Sequence, residues 1–250
     1  MQVNGIQVTF LDIPPEYTEE YNRWYDLDHM PEHVSKADVL MGRRYVAPRS
    51  MRGLPASLVG EAFGGHPPYL SLYGFGGPLD MTSDEARQGW RAKDRTIVKQ
   101  GRYWLKGHGT GGGMFRLAEA IARPGCLVSE DAVPYLEHRG IIVAYGTAPS
   151  PERRSEAVAW WRDTHLVDLF TAPGVLAALR CDPVDAADPH VLHLILCEES
   201  PAVVMPRIET VLRYQGAMGR FPAFGGVYEP ECFLPYAWIV PLEYDFDFDG

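Results

Sequence analysis

Cysteine is scarce in this sequence and shows no pairing pattern. The 250 residues include four cysteines, Cys126, Cys181, Cys197 and Cys232, and no two of them form a CxxC pair. Closely spaced cysteines are typical of structural zinc sites, and dense cysteine frameworks are typical of small secreted proteins. We therefore predict no metal site from these residues and interpret the four thiols as buried or incidental.

Long hydrophobic runs are also absent. No stretch of about 18 consecutive apolar residues occurs, so no membrane-spanning helix is predicted. Residues 1–10 lack the basic start and the apolar centre of a secretory signal. These two absences lead us to expect a cytoplasmic protein without a membrane partner.

Positive charge is in the minority. The chain has 23 lysines and arginines against 33 aspartates and glutamates, which gives a formal net charge of -10. Nucleic-acid binding needs clustered basic residues that replace the counterions of the phosphate backbone. The composition therefore argues against a nucleic-acid partner. The apolar share of 46% is ordinary for a folded protein with a sizeable core.

Several catalytic motifs are missing as well. The Gly-rich segment 107–113 (GHGTGGG) resembles a phosphate-binding or oxyanion loop, but the chain has neither a GK[ST] ending nor a G-x-S-x-G elbow. We predict a flexible connection there, with His108 at the mouth of a pocket. Residues 29–33 (HMPEH) match the H-x-x-E-H zinc-protease pattern, but Pro31 interrupts the helix that this motif needs, so no metal is expected.

What the sequence does contain is an internal repeat. A constant offset of 136 residues aligns positions 6–44 with positions 142–180 without a gap and gives nine identities. The identical pairs are Ile6/Ile142, Pro15/Pro151, Glu16/Glu152, Glu20/Glu156, Trp24/Trp160, His29/His165, Val39/Val175, Leu40/Leu176 and Arg44/Arg180. Such self-similarity indicates a fold built from two copies of one unit.

The secondary-structure signals follow the same order in both copies. Short apolar strands are predicted at 5–13, 39–46, 69–75 and 114–120, with counterparts at 140–147, 175–181, 191–197 and 227–233. One helix is predicted after the first strand of each copy, and others at 83–99 and 203–218. The order β-α-β-β-α-β is that of a ferredoxin-like unit, so the predicted fold class is α+β. We expect two tandem units, residues 1–125 and 138–250, the first carrying a Gly- and Pro-rich insertion at 48–68.

Two segments carry a family resemblance. Residues 24–31 (WYDLDHMP) and 160–165 (WWRDTH) resemble the W-Y-x-x-x-H-x-P signature of the EthD-like branch of the dimeric α+β barrel superfamily. The resemblance implies that two ferredoxin-like sheets pack face to face into a barrel, usually across a homodimer and here within one chain. It also implies a cavity between sheet and helices that receives small aromatic or hydrophobic molecules. Monomer and homodimer both stay open.

Histidines at equivalent repeat positions are the candidate catalytic residues. His29 lies beside Asp28, a further catalytic candidate, and just before Pro31, where we expect the helix to break. A neutral imidazole at that point can take a proton from an acidic carbon or hydroxyl near pH 7. Alternatively, His29 caps the helix and orders the loop. His165 is the second candidate, and it is the candidate axial ligand if the protein binds haem.

Arginines and aromatic residues are the candidate binding residues. Arg44 and Arg180 end the second strands, where a guanidinium group can hold a carboxylate or enolate oxygen. The alternative, which we favour, is a salt bridge to an acidic residue of the neighbouring helix. Trp24, Tyr25 and Trp160 are interpreted as core aromatics that also form a pocket wall.

These candidates lead to three hypotheses about function. The first is a cofactor-independent enzyme of the lyase, isomerase, cyclase or decarboxylase type, which acts on a small aromatic or hydrophobic metabolite through proton transfer by His29. The resemblance also includes haem-dependent dehydratases and peroxidases, so haem catalysis is the second hypothesis. A non-catalytic protein that binds a small ligand is the third, because fold alone does not determine function.

Overall fold

A computed structural model describes residues 2–36, 38–52, 65–77, 97–104, 106–148, 150–185, 187–220 and 229–245. These residues form eight strands: β1 (Gly5–Asp12), β2 (Val39–Val46), β3 (Tyr69–Phe75), β4 (His108–Ala122), β5 (Gly140–Thr147), β6 (Val175–Pro183), β7 (His190–Cys197) and β8 (Glu229–Trp238). The predicted strands all occur, although β4 begins earlier and β8 ends later than the apolar pattern indicates.

Helices cover the outside of the strands. The α-helices are α1 (Thr18–Trp24), α2 (Met30–Val34), α3 (Arg49–Arg52), α4 (Pro151–Trp160), α5 (Leu166–Leu169) and α6 (Pro201–Ala217). Two π-helical turns, Tyr25–His29 and Trp161–His165, connect α1 to α2 and α4 to α5. The helix predicted at 83–99 and the greater part of the insertion at 48–68 lie outside the described residues.

The eight strands close into one antiparallel barrel. Their order around the barrel is β1-β3-β2-β8-β5-β7-β6-β4. Strand β4 of the N-terminal part pairs with β6, and β2 pairs with β8, so the chain closes the barrel by itself. The predicted α+β fold class, with ferredoxin-like sheets packed as a barrel, is confirmed.

The barrel interior is filled with apolar side chains. Along β1 the inward positions are apolar, as with Ile6 and Val8, whereas Gln7 and Thr9 point outward. Every strand contributes to this interior cluster, with Ile6, Tyr45, Leu70, Phe115, Ile141, Leu179, Leu192 and Leu234 as examples. Because the described part of the interior is packed, space for a ligand is expected on the outer face of the barrel, under the helices.

The repeat needs a one-residue correction in its first strand. The gapless offset of 136 pairs Ile6 with Ile142, but Ile6 lies inside the barrel and Ile142 packs outside it against the helices. Ile141 is the inward residue that matches Ile6. A strand alternates sides at every residue, so a slip of one position reverses the face of each side chain. The pairing of Ile6 with Ile142 is therefore wrong.

The Gly-rich segment is not the flexible connection that we predicted. Strand β4 begins at His108, and Gly109, Gly111 and Gly113 pair with β1. Gly112 has a φ of 118°, and a Cβ atom there would lie 2.1 Å from the carbonyl oxygen of Val8. Glycine is needed at this position because the two backbones approach too closely for any other residue.

The predicted helix break at Pro31 does not occur. The backbone stays helical from Thr18 through Val34, and the amide of Met30 donates to the carbonyl oxygen of Tyr25, five residues earlier. This wider turn precedes Pro31, which lies in the first turn of α2, where a missing N–H costs little. The other π-helical turn has Val167 in place of the proline, so proline is not required for it.

Candidate functional site

The first π-helical turn brings His29 against the aromatic face of the helix. An extra residue in the turn places the imidazole next to Trp24, with ring centroids 4.6 Å apart and planes 29° from parallel. Tyr25 and His33 contact it edge to face, at 4.7 and 4.3 Å between centroids. His29 is thus positioned by ring packing on several sides.

A cavity of about 200 Å³ lies between this helix and the outer faces of β1 and β3. Its lining is mostly aromatic and polar: Gln7, Thr9, Leu11, Ile13, Tyr21, Trp24, Tyr25, His29, His33, Ser71, Tyr73, Tyr103, Trp104, Gly107, His108 and Gly109. An apolar cavity of about 150 Å³ is known to hold benzene, so this one has room for a small aromatic molecule.

Three of the lining residues carry a buried polar atom that finds no hydrogen-bond partner in the part of the chain that the structure describes. Among the described residues, no hydrogen bond reaches Gln7 Oε1, His29 Nδ1 or Trp104 Nε1. A buried polar atom without a partner costs about 1–3 kcal/mol, and most such atoms in proteins are satisfied. Their occurrence around one cavity indicates that this wall is arranged to bind a polar group of a ligand.

The electrostatic environment keeps the His29 imidazole neutral. Burial, together with the smaller effect of the charges of Lys36 and Arg44, lowers its pKa from 6.5 to about 4. An imidazole with this pKa is unprotonated at pH 7 and can accept a proton there.

The tautomer of the second cavity histidine is fixed by a lysine. Lys36 Nζ lies 3.0 Å from His33 Nδ1, and both side chains are buried. An ammonium group can only donate, so His33 Nδ1 accepts and its proton is on Nε2. Sequence reasoning assigned no role to His33, because Pro31 argued against the H-x-x-E-H motif that contains it.

Asp28, the proposed neighbour of His29 in catalysis, points away from the cavity. Its two carboxylate oxygens accept hydrogen bonds from Arg102, at 2.6 and 2.9 Å. The same guanidinium group also binds Glu32 at 2.7 Å. Asp28 therefore anchors the segment at Arg102 to the helix and does not line the cavity.

Arg44 also lies outside the cavity, behind its aromatic wall. It forms a buried ion pair with Asp26 at 2.6 Å, and its guanidinium carbon lies 4.3 Å from the ring centroid of Tyr25. Tyr244, near the end of the described chain, donates to the same carboxylate at 2.6 Å. Arg44 therefore forms a salt bridge to the neighbouring helix, which is the alternative that we favoured over ligand binding.

The equivalent region of the second half is filled. Trp160 stacks on His165 at 4.7 Å, as Trp24 does on His29, but His165 Nδ1 is 2.9 Å from Gln215 Oε1. Trp161 lies flat against His193 at 4.4 Å, and the space beside them is only about 10 Å³. This volume admits about one water molecule.

Arg180 is likewise engaged in ion pairs. It binds Glu119 at 3.0 Å and also contacts Asp182 on its own strand. Neither carboxylate belongs to the neighbouring helix, so the favoured partner was wrong for Arg180, although the ion-pair interpretation holds. Trp24, Tyr25, His29 and His108 are thus the predicted site residues that the structure brings together around the large cavity.

Most of the other cavity residues were missed by the sequence reasoning, and Gln7, Tyr73 and Trp104 are examples. Gln7 lies on β1 and Tyr73 on β3, where the outward positions of the strands face the helix. A polar residue in an otherwise apolar strand was a usable signal for Gln7. Trp104 comes from the segment before β4, and no local pattern indicates that this segment returns to the cavity.

Two further observations concern ligands and membranes. Within the described residues, no group of three or more histidine, cysteine, aspartate or glutamate side chains is placed to hold a metal ion. No helix in this part of the chain is both long enough and apolar enough to cross a membrane.

Comparisons with known proteins identify the fold. The chain matches no protein-family profile and no curated protein sequence. It is similar to the structure of a chlorite dismutase mutant from Candidatus Nitrospira defluvii, at 9% identity, with 96% of this chain and 92% of that chain covered and a TM-score of 0.53. A dye-decolorizing peroxidase from Bacteroides thetaiotaomicron matches at 7% identity, with coverages of 95% and 93% and a TM-score of 0.54.

An anthrone oxidase-like protein matches at 13% identity, with coverages of 96% and 92% and a TM-score of 0.50. At such identities the likeness shows the fold alone. That fold is an α+β barrel of ferredoxin-like sheets, the fold class that the sequence predicted.

Because haem is the alternative cofactor that the sequence resemblance implies, the fit of haem can be tested on the side chains present. His165, the predicted axial ligand, is 4% exposed, and Trp160 covers one face of its ring. The 10 Å³ space in that half cannot accept a macrocycle. The cavity at His29 is also smaller than the roughly 300–1,000 Å³ of sites for drug-sized ligands. The described residues therefore do not fit haem at either histidine.

Proposed function

We propose that this protein is a cofactor-independent enzyme in which His29 removes a proton from a small aromatic or hydrophobic molecule. The observation that carries the proposal is a neutral imidazole in the wall of a 200 Å³ aromatic cavity, with its Nδ1 atom unbonded among the described residues. Isomerases, cyclases, lyases and decarboxylases of the EthD-like type would all use such a step.

The low basicity of His29 is compatible with this role. A pKa of about 4 applies to the protein without a ligand, where burial and nearby cations oppose a charged imidazole. When a proton leaves the ligand, negative charge develops next to the ring and favours the imidazolium form. The imidazole then becomes a stronger base as the transfer proceeds.

The experiment uses 2-indanone, a bicyclic ketone whose carbon-bound protons next to the carbonyl are weakly acidic. Loss of the corresponding proton signal in D2O, followed by NMR, reports proton abstraction without knowledge of the natural reaction. We expect the protein to accelerate exchange at least about tenfold, and His29→Gln to reduce the rate to that of buffer, in line with typical general-base contributions.

The matched control is His190→Gln. His190 stacks on Tyr145 in the second half and does not line the cavity, so this variant should retain the full exchange rate. If wild-type protein binds 2-indanone but does not accelerate exchange, the protein is a binding protein and the proposed catalysis is wrong.

A further inference from the structure

The lining of the cavity at His29 contains no acidic side chain among the described residues. This is unusual for a chain that has 33 aspartates and glutamates and a net charge of -10. Four carboxylates of the helix that covers the cavity bind cations: Asp26 binds Arg44, Asp28 and Glu32 bind Arg102, and Glu20 binds Lys106. These four acidic side chains are therefore engaged outside the ligand space.

Positive charge, in contrast, lies directly behind the cavity wall. Lys36 contacts His33 at 3.0 Å, whereas Arg44, behind the ring of Tyr25, is paired with Asp26. The charges of both residues disfavour protonation of His29, so their field extends to the imidazole at the cavity. Lys36 is buried, and a buried charge is screened much less than a charge at the surface.

The cavity wall also contains an N–H donor suited to an oxyanion. Trp104 Nε1 is buried and has no acceptor among the described residues. An indole N–H can only donate, so the group that satisfies it must be an acceptor. Hydrogen bonds to a charged acceptor are about twice as strong as those between neutral groups.

From these three observations we infer that the cavity binds its ligand as an anion, either a phenolate or an enolate. Trp104 would donate a hydrogen bond to the anionic oxygen, and the charge of Lys36 behind the wall would stabilise it. The inference concerns the same cavity as the proposed function and rests on it for the aromatic class of ligand. It adds the charge state of the ligand and two residues that stabilise it.

The test measures an equilibrium and needs no turnover. 4-Nitrophenol is titrated with acid and base in the presence of excess protein, and the absorbance of the phenolate is followed. We expect the pKa of the bound phenol to be at least one unit below that of the free phenol. This means that the phenolate binds at least tenfold more tightly than the phenol, and that the released proton goes to the buffer.

Variants assign the effect to residues. Lys36→Met should reduce the pKa shift of the bound probe by more than half, whereas Lys99→Met removes an exposed lysine outside the cavity lining and should leave the shift unchanged. Trp104→Phe keeps an aromatic wall but removes the N–H donor, so the shift should also decrease. If Lys36→Met fails to fold by circular dichroism, the comparison of Trp104→Phe with wild type decides.

Three results would overturn the inference: an unchanged or raised pKa of the bound phenol, an equal shift in wild type, Lys36→Met and Trp104→Phe, or no saturable binding of either 4-nitrophenol or 7-hydroxycoumarin at millimolar concentration. Failure of the proposed function is separable from these results. A protein that lowers the probe's pKa but does not accelerate exchange of 2-indanone would keep the anion site and lose the catalytic role of His29.

Discussion

His29 is held in place by ring contacts, with Trp24 on one face and Tyr25 and His33 at its edges. Most buried histidines are oriented by a hydrogen bond to one ring nitrogen, as His165 is by Gln215. Packing can fix the plane of a ring while its nitrogen atoms stay available. His29 and His165 occupy equivalent repeat positions, but His29 lines an open cavity, whereas His165 is bonded to Gln215 in a filled region.

A prediction at the residue scale concerns the titration of His29. The folded pKa of about 4 lies below the value of 6.5 for a free side chain, so the imidazole should stay neutral from pH 8 down to about pH 5. The measurement is the ¹³Cε1 chemical shift of His29, assigned with a His29→Gln variant. In urea-unfolded protein the same signal should titrate near pH 6.5. A midpoint above pH 6 in the folded protein would contradict the prediction.

At the scale of elements, the two π-helical turns distinguish this structure from a simple helical hairpin. Each turn adds one residue to the helix and places a histidine at its end, under a tryptophan. A π-helical turn is commonly the result of a single inserted residue, and it is retained against its energetic cost where it serves a site. The histidine and the tryptophan are five residues apart in each copy, and the wider turn places residues at that spacing on the same face of the helix.

Deletion of Leu27 tests this dependence. Leu27 is exposed, and its removal should convert the first π-helical turn into regular α-helix, which narrows the turn between Trp24 and His29 and shifts the imidazole relative to the cavity. We expect a folded protein with at least tenfold weaker binding of 4-nitrophenol, measured by absorbance titration. Deletion of Arg162, an exposed residue of the second π-helical turn, should lower stability and leave probe binding unchanged.

The elements themselves were largely predictable, and the exceptions have physical causes. Alternating and continuous apolar patterns located the strands, because the side that faces the barrel must be apolar. The π-helical turns were not predicted, because one added residue changes the helical period too little to be seen in a short segment. The Gly-rich start of β4 was interpreted as a flexible connection, since glycine is common in turns, although here it permits a close backbone approach.

At the scale of the whole molecule, the buried histidines make stability depend on pH. Burial lowers the pKa of His66, His138 and His165 to about 4, and it lowers that of His193 well below 6.5. Between pH 6.5 and pH 4 the unfolded chain therefore binds more protons than the folded protein. The stabilising contribution is complete above about pH 6.5 and is lost as the pH falls towards 4.

Each of these histidines should contribute on the order of 1–2 kcal/mol to the loss of stability between pH 7 and pH 5. The measurement is the free energy of unfolding from urea titrations at the two pH values. Replacement of His165 by leucine removes one of the groups, so the difference between the two pH values should become smaller. A free energy of unfolding that is the same at pH 7 and pH 5 would show that these histidines are accessible to protons.

The site was less predictable than the barrel. His29, Trp24, Tyr25 and His108 could be named because a repeat and a family signature mark them or a glycine-rich segment contains one. Tyr73 and Trp104 could not, because their meeting point with Gln7 depends on how three separate segments pack. The engagement of Arg44 with Asp26 needed both the helix and the second strand, which lie 18 residues apart in sequence.

The closure of the barrel has a consequence for how it moves. Strand β4 pairs with β6 from Phe115 to Ala122, whereas within the described residues β2 meets β8 only at Tyr45 and Val46. One seam is therefore long and the other short, and local opening starts where few backbone hydrogen bonds must break. Amide protons at the β2–β8 seam should therefore exchange with solvent before those at the β4–β6 seam.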